Sequence, residues 1–365
     1  MSITMVTGAD GHVGAALSRW LVDNTDHILL LCVRASDNTE LAAKRRKLGP
    51  LADNQRCRVV AADLRDPQPF TDIGVDGITG ILHCSAVTSF AVDQQTAQAV
   101  NVDGTEKLIE FAARCQKLHR FGFVGTLYAA GLREGVITES ALDKAEQFAN
   151  NYEWSKWHAE NLLIEKPDLP WQIYRMATIL GEDDSGLVVQ QNAIHNTLRL
   201  LYYGLLSVVP GHPDTRVYTT TTEFAAAAIG RLFLNAEDQG VFHISDSGSE
   251  AVTIGAMIDS VYESFMADPR FAKQRILKPL FCDRKAFDTL VEGSSQFGGA
   301  IAQSLQSLAP FAPQLYSDKD VQTQHSTELL NGLRTPQSNA LLRAVCDHLV
   351  ETRWGLRPIA QETGQ

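Results

Sequence analysis

The chain has 365 residues, 44% of them hydrophobic and 21% charged, enough for one large domain with a smaller lobe appended. Its formal net charge of −11 argues against nucleic acid as a partner, because phosphate backbones are bound by cationic surfaces. Cys32, Cys57, Cys84, Cys115, Cys282 and Cys346 show neither CxxC nor zinc spacing and read as reduced thiols of a cytoplasmic protein.

The first six residues lack a basic n-region and run directly into a glycine turn, unlike a signal peptide. In chain order, 3–6 reads as a short buried strand, 13–22 as a helix and 28–33 as a second strand. Strands follow at 58–61 and 80–83, then a helix over roughly 96–113 and a strand at 121–124. A helix over 152–165 is closed by Pro167 and Pro170, and a strand at 171–174 runs up to Arg175. Strands separated by helices, each strand almost wholly apolar, predict an α/β fold: a Rossmann-type doubly wound parallel sheet.

Beyond Gly181 the alternation becomes irregular. Helices are expected at 192–203 and 223–234, extended chain at 215–222 and a strand at 241–244. The expected division is an NAD(P)-binding domain over 1–181 and, over 182–365, a smaller α+β substrate lobe partly interleaved with it. The stretch 198–210, with Tyr202, Tyr203, Leu205 and Leu206, reads either as the wall of an apolar pocket or as ordinary helix packing. The tail from about Pro310 is polar, with a helix over 339–351, and no apolar run reaches the ~18 residues of a membrane span.

Thr7-Gly8-Ala9-Asp10-Gly11-His12-Val13-Gly14 joins the first strand to the first helix. Glycines at 8, 11 and 14 permit a tight turn, close approach to a pyrophosphate and close helix–sheet packing. The helix N-terminus adds a dipole that favours phosphate. An acidic residue ending the second strand would bind the ribose hydroxyls of NAD, whereas arginine accommodates the 2′-phosphate of NADP. Arg34 holds that position, with Asp37 just beyond it, and Lys44 opens a basic cluster that reads equally as a solvated helix face or a phosphate contact. Asp63 and Leu64 follow the third strand, where a carboxylate can accept from an adenine amino group. Small residues after the fourth strand, Ser85 and Ala86, let a cofactor lie across the sheet edge, while His83 reads as a packed strand end.

Tyr152 and Lys156 are four residues apart on one helix face. A phenol beside a fixed ammonium is expected to have its pKa lowered towards neutrality and to exchange a proton with a substrate oxygen. Thr126, at a strand's C-terminal end, offers the second hydroxyl that a developing oxyanion needs. With these residues in place, the sequence resembles an extended short-chain dehydrogenase/reductase. It is most similar to the branch of thioester reductase domains, carboxylic acid reductase terminal domains and fatty acyl-CoA reductases, the male-sterility type of NAD-binding domain. TGADGHVG at 7–14, LLCVRA at 30–35, VAADL at 60–64, ILHCSA at 81–86, NVDGTEKLIEFA at 101–112, VGTLYAAG at 124–131, YEWSK at 152–156 and IYRMATILG at 173–181 carry the resemblance. It implies Thr126, Tyr152 and Lys156 as catalytic residues, with Asn101 and Ile179 beside the cofactor and Arg34 on its phosphate. Three positions depart from the branch pattern: Gly125 stands where serine is usual, Ser85 where alanine is, and Met176 where proline is.

The expectation is therefore a nicotinamide-dependent oxidoreductase using NADPH, with NADH as the alternative. Its substrate is a small molecule: an acyl thioester, an aldehyde or a ketone of an apolar natural product. The protein is expected as a monomer or homodimer. The alternatives are a nucleotide-sugar epimerase or dehydratase, against which Arg34 argues, a 3β-hydroxysteroid dehydrogenase-like enzyme, and a non-catalytic NADP-sensing regulator, which would not need Tyr152 and Lys156.

Overall fold

Seven apolar runs lie side by side in one wholly parallel sheet. In the computed structural model, which describes residues 2–142, 147–235, 239–246 and 251–356, they are β1 (Ile3–Thr7), β2 (Ile28–Val33), β3 (Cys57–Ala61), β4 (Ile78–His83), β5 (Arg120–Thr126), β6 (Trp171–Met176) and β7 (Gly240–Ile244). Their order across the sheet is β7-β6-β5-β4-β1-β2-β3. The chain therefore reverses direction of growth between β1 and β4, and it is outside such a switch point that open α/β sheets bind their ligands. This is the expected Rossmann-type architecture.

The strands read as continuous apolar runs because both faces are covered. On one face Phe121, Phe123, Ile81 and Ile173 pack with Leu108, Ile109 and Phe111 of α3 (Asp103–Ala112) and with Ala159 and Leu163 of α4 (Asn151–Ile164). On the other, glycines at 80 and 122 leave room for Phe233 of α5 (Thr222–Asn235), whose ring would lie within 3.1 Å of a Cβ at either position. Helix α5 in turn packs on α1 (His12–Asn24), with Trp20 against Gly230.

One expected helix is interrupted. The stretch 96–113 begins as a short α-turn, widens into a π-turn over Gln98–Val102 and resumes as α3. The wide turn holds Asn101, whose buried amide donates to Val87 O (3.0 Å) and Ser155 Oγ (2.9 Å) and accepts from Val87 N (2.8 Å). Periodicity alone does not distinguish a π-turn from a continuous helix.

The described residues form two compact units, drawn from 1–177, 222–245 and 321–334, and from 178–221, 246–320 and 335–356. The second is mainly helical, with short strand pairs such as Thr178–Gly181 beside Thr219–Thr221 and Val208–Pro210 beside Leu280–Cys282. Its core gathers Tyr202, Phe265, Phe271 and Trp354. Tyr202 meets Phe265 edge-on at 5.1 Å and donates to Asp268 at 2.5 Å, and Leu206 is likewise buried. These two residues of the 198–210 stretch are thus core packing, whereas Tyr203 is exposed. Among the described residues, no helix is long and apolar enough to cross a membrane.

Candidate active site

The glycine turn follows β1 and faces the end of β4. Gly8 has φ +64°, and a Cβ there would stand 2.9 Å from the Ser85 backbone. A Cβ on Gly14 would stand 2.2 Å from Gly8 O. The turn is thus a cradle that any side chain would fill. Gly11 precedes α1 and offers it no side-chain cap, and a helix dipole favours an anion at that end. His12 ties the turn to the start of α5, its Nε2 lying 2.8 Å from Thr222 Oγ1, and Val13 is half-buried. Gly14→Ala is expected to open the turn, costing about 1–3 kcal/mol and most of the dinucleotide affinity. Thermal unfolding of the ligand-free protein and a fluorescence titration with NADPH measure the two effects, and unchanged values in both would refute the cradle.

Arg34 is exposed just past β2. Asp37 is committed elsewhere, capping α2 (Asn38–Leu48) by accepting from Glu40 N at 2.8 Å. Lys44 donates to Asp10 at 2.9 Å, and Lys47 lies 3.5 Å from the same oxygen. Burial alone would raise the Asp10 carboxyl, but Lys44 and then Lys47 outweigh it and hold it below its ordinary value. Asp63 accepts from Arg65 Nε (3.0 Å) and Nη2 (2.6 Å), which keeps its carboxyl low, and Leu64 packs beneath Gly104 of α3. Ser85 N is held by Thr7 Oγ1 at 3.3 Å, with Ala86 next in the chain. Of the expected cofactor residues, Gly8, Arg34, Asp63, Leu64, Ser85 and Ala86 follow β1 to β4, whereas Lys44 lies on α2. Ile179 lies in the second unit, on the strand Thr178–Gly181.

His83 is buried between Thr7 Oγ1 (2.7 Å) and Thr105 Oγ1 (3.0 Å). Burial, then Lys156, lowers its pKa to about 3, so it is a neutral packing residue.

Helix α4 carries the proposed chemistry, and its start is set with care. Asn150 caps it by accepting from Glu153 N (3.0 Å), while Glu153 reaches back to Ala149 N (2.9 Å). Tyr152 follows at once, buried against Val92, Ala97 and the Phe90 ring, 5.8 Å away. Its phenol is hydrogen-bonded to Thr126. Lys156 Nζ donates to Val124 O at 2.7 Å and sits 3.9 Å from the centre of the Phe123 ring.

The expected depression of the phenol is corrected here. Burial raises the Tyr152 pKa, opposed by the Thr126 hydrogen bond and reinforced by Tyr128, Glu153 and Glu160, while Lys156 is drawn to the Val124 carbonyl and the Phe123 ring. The phenol is therefore a fully protonated donor at neutral pH. Lys156 moves the other way: burial lowers it to about 8, against the attraction of Glu160 and then Cys84.

Two further charged groups were not singled out from the sequence. Glu160 Oε2 accepts from Arg175 Nε at 2.9 Å, with both side chains almost completely buried. Arg175 Nη1 reaches His243 Nε2 at 3.4 Å. His243 Nδ1 lies 2.6 Å from the Gln322 carbonyl, which can only accept, so Nδ1 carries the proton and Nε2 accepts from Arg175. A glutamate eight residues after Tyr152 and an arginine closing an apolar strand are the sequence signals of this pair.

The sheet order and the family match together make the chain an NAD(P)-dependent oxidoreductase of the short-chain dehydrogenase/reductase type. Residues 6–229 match the sequence model of the family described as male sterility protein, and the chain belongs to that family. It is 31% identical over 248 residues to an isonitrile lipopeptide synthase of Streptomyces coeruleorubidus, a match covering 62% of this chain but 16% of the synthase. Among solved structures, the terminal R domain of the myxalamid PKS-NRPS biosynthetic pathway shares the fold with a TM-score of 0.77 at 19% identity, covering 98% of this chain and 92% of that one. The reductase (R) domain of a nonribosomal peptide synthetase from Mycobacterium tuberculosis does so with a TM-score of 0.71 at 18% identity, covering 96% and 92%.

Proposed function

We propose that the chain is an NADPH-dependent reductase of acyl thioesters, with Thr126, Tyr152 and Lys156 as its catalytic residues. The observation that carries this reading is the hydrogen-bonded Thr126–Tyr152 pair at the end of β5, with Lys156 one turn along α4. The glycine cradle, Ser85 and Arg34 would hold the cofactor, which when bound supplies a hydride to carbonyl carbon. Two hydroxyls converging on one point are suited to a carbonyl oxygen that gains negative charge. Tyr152 passes its proton to that oxygen, while the Lys156 ammonium adds positive charge one turn along the same helix face. Thioester as the acyl donor is supported by the lipopeptide synthase relative and the synthetase reductase domains that share the fold.

Preference for NADPH rests on Arg34 standing exposed after β2 while Asp37 is occupied as a helix cap. The test is absorbance of the reduced cofactor with carrier-bound and soluble acyl thioesters, aldehydes and polycyclic ketones, each with NADPH and NADH. Thioester-dependent oxidation of NADPH is expected, and turnover restricted to ketones would replace the substrate assignment. Arg34→Ala is expected to weaken NADPH by about tenfold or more with little effect on NADH. Equal loss for both cofactors would show that Arg34 does not read the phosphate.

A further inference from the structure

Tyr152, Lys156 and Glu160 recur every four residues along α4 and so share its inner face. All three are at least nine-tenths buried. Glu160 gives one carboxylate oxygen to Arg175, while the other, Oε1, has no hydrogen-bond partner among the described residues. That oxygen occupies the space over Gly125, where a Cβ would stand 2.7 Å from it. Any side chain at 125 would displace or cap it. A buried carboxylate oxygen left uncapped acts more strongly on neighbouring charges than one in water, since low-dielectric surroundings screen it less.

We infer that Glu160 is a positioning residue for Lys156, its uncapped oxygen holding the ammonium charged, with Gly125 as the gap that keeps that oxygen uncapped. The inference rests on reading Tyr152 and Lys156 as the proton-transfer pair. Few groups face Lys156. Glu160 on its own helix favours the ammonium, the Cys84 thiol after β4 is pushed up to about 12 by burial and so stays neutral there, and neutral His83 lies beside it on β4. The Val124 carbonyl accepts from Nζ and the Phe123 ring lies against it. Burial raises the Glu160 carboxyl, and Arg175, then Lys156, oppose this by favouring its charged form, with His243 beyond Arg175. With burial already bringing Lys156 down to about 8, loss of the Glu160 charge lets the proton leave near neutral pH. The alkaline limb of the reaction then moves towards acid.

The experiment follows the Lys156 13Cε resonance through a pH titration of the ligand-free protein carrying labelled lysine, the signal being assigned by its absence in Lys156→Met. Glu160→Gln retains an oxygen for Arg175 Nε but removes the charge. It is expected to lower the Lys156 midpoint by about one pH unit and to move the alkaline limb of kcat/KM in the same direction. An unchanged midpoint overturns the inference. Gly125→Ser leaves every charge in place and sets a hydroxyl against Oε1, so a smaller downward shift is expected. If Glu160→Gln does not fold, this variant decides alone, and no shift in it overturns the inference. Full activity in Tyr152→Phe would instead sink the proton-transfer reading while leaving the Lys156 midpoint where it was.

Discussion

Tyr152→Phe is expected to lower kcat by about 100- to 10,000-fold, the usual worth of a positioned general acid, while NADPH binding changes little. The separation follows from what the ring and the oxygen each do. The ring packs against Phe90, Val92 and Ala97, contacts that phenylalanine keeps. The oxygen is bonded to Thr126 and carries the proton. Burial raises the phenol's pKa, so in the wild type the donor is protonated across the neutral range and the loss in the variant should not depend on pH there. Steady-state turnover at several pH values, beside a fluorescence titration with NADPH, checks both halves. Turnover within a few-fold of wild type would remove Tyr152 from the reaction.

The second large effect is on stability. Arg175→Met removes one partner of an ion pair that water does not reach, leaving Glu160 with only the Lys156 ammonium to offset its burial and His243 Nε2 without a donor. Breaking a buried pair from one side costs about 3–5 kcal/mol, and a Tm lower by roughly 10 °C follows for a unit of this size. Replacing Glu160 by leucine in the same protein should recover much of that loss, since an apolar pair of similar volume is often neutral relative to the ion pair. Chemical denaturation of the two variants measures it. A single replacement costing under about 1 kcal/mol, the range of an exposed pair, would mean that Arg175 is not buried as described.

The strands of the first unit were legible because each is covered on both faces and therefore almost uninterrupted in apolar residues. Strand β2 ends at Val33, as the run Ile28–Val33 announces. Helix α2 was visible only as a possible solvated face around Lys44, since its side chains are mostly polar and its start depends on Asp37 rather than on an apolar stripe. In the candidate site, the residue types and spacing named Tyr152, Lys156 and Thr126, but not which way the lysine turns. That direction is set by the Val124 carbonyl and the Phe123 ring, both brought there by β5. Glu160 and Arg175 escaped notice because charged residues are ordinarily exposed. The second unit was least legible. Its strands are two to four residues long and pair across wide separations, as Val208 does with Leu280, too short to show a period.

The position of β7 has a consequence for synthesis. This strand lies at the rim of the sheet against β6 but comes from residues 240–244, and α5, which fills the space left by Gly80 and Gly122, comes from 222–235. A nascent chain released only as far as β6 therefore presents an apolar strand with open hydrogen-bonding groups and one uncovered sheet face, conditions that favour self-association. The whole intervening stretch must leave the ribosome before the sheet can close. Temporary exposure of that sheet edge during translation is the burden this strand order imposes.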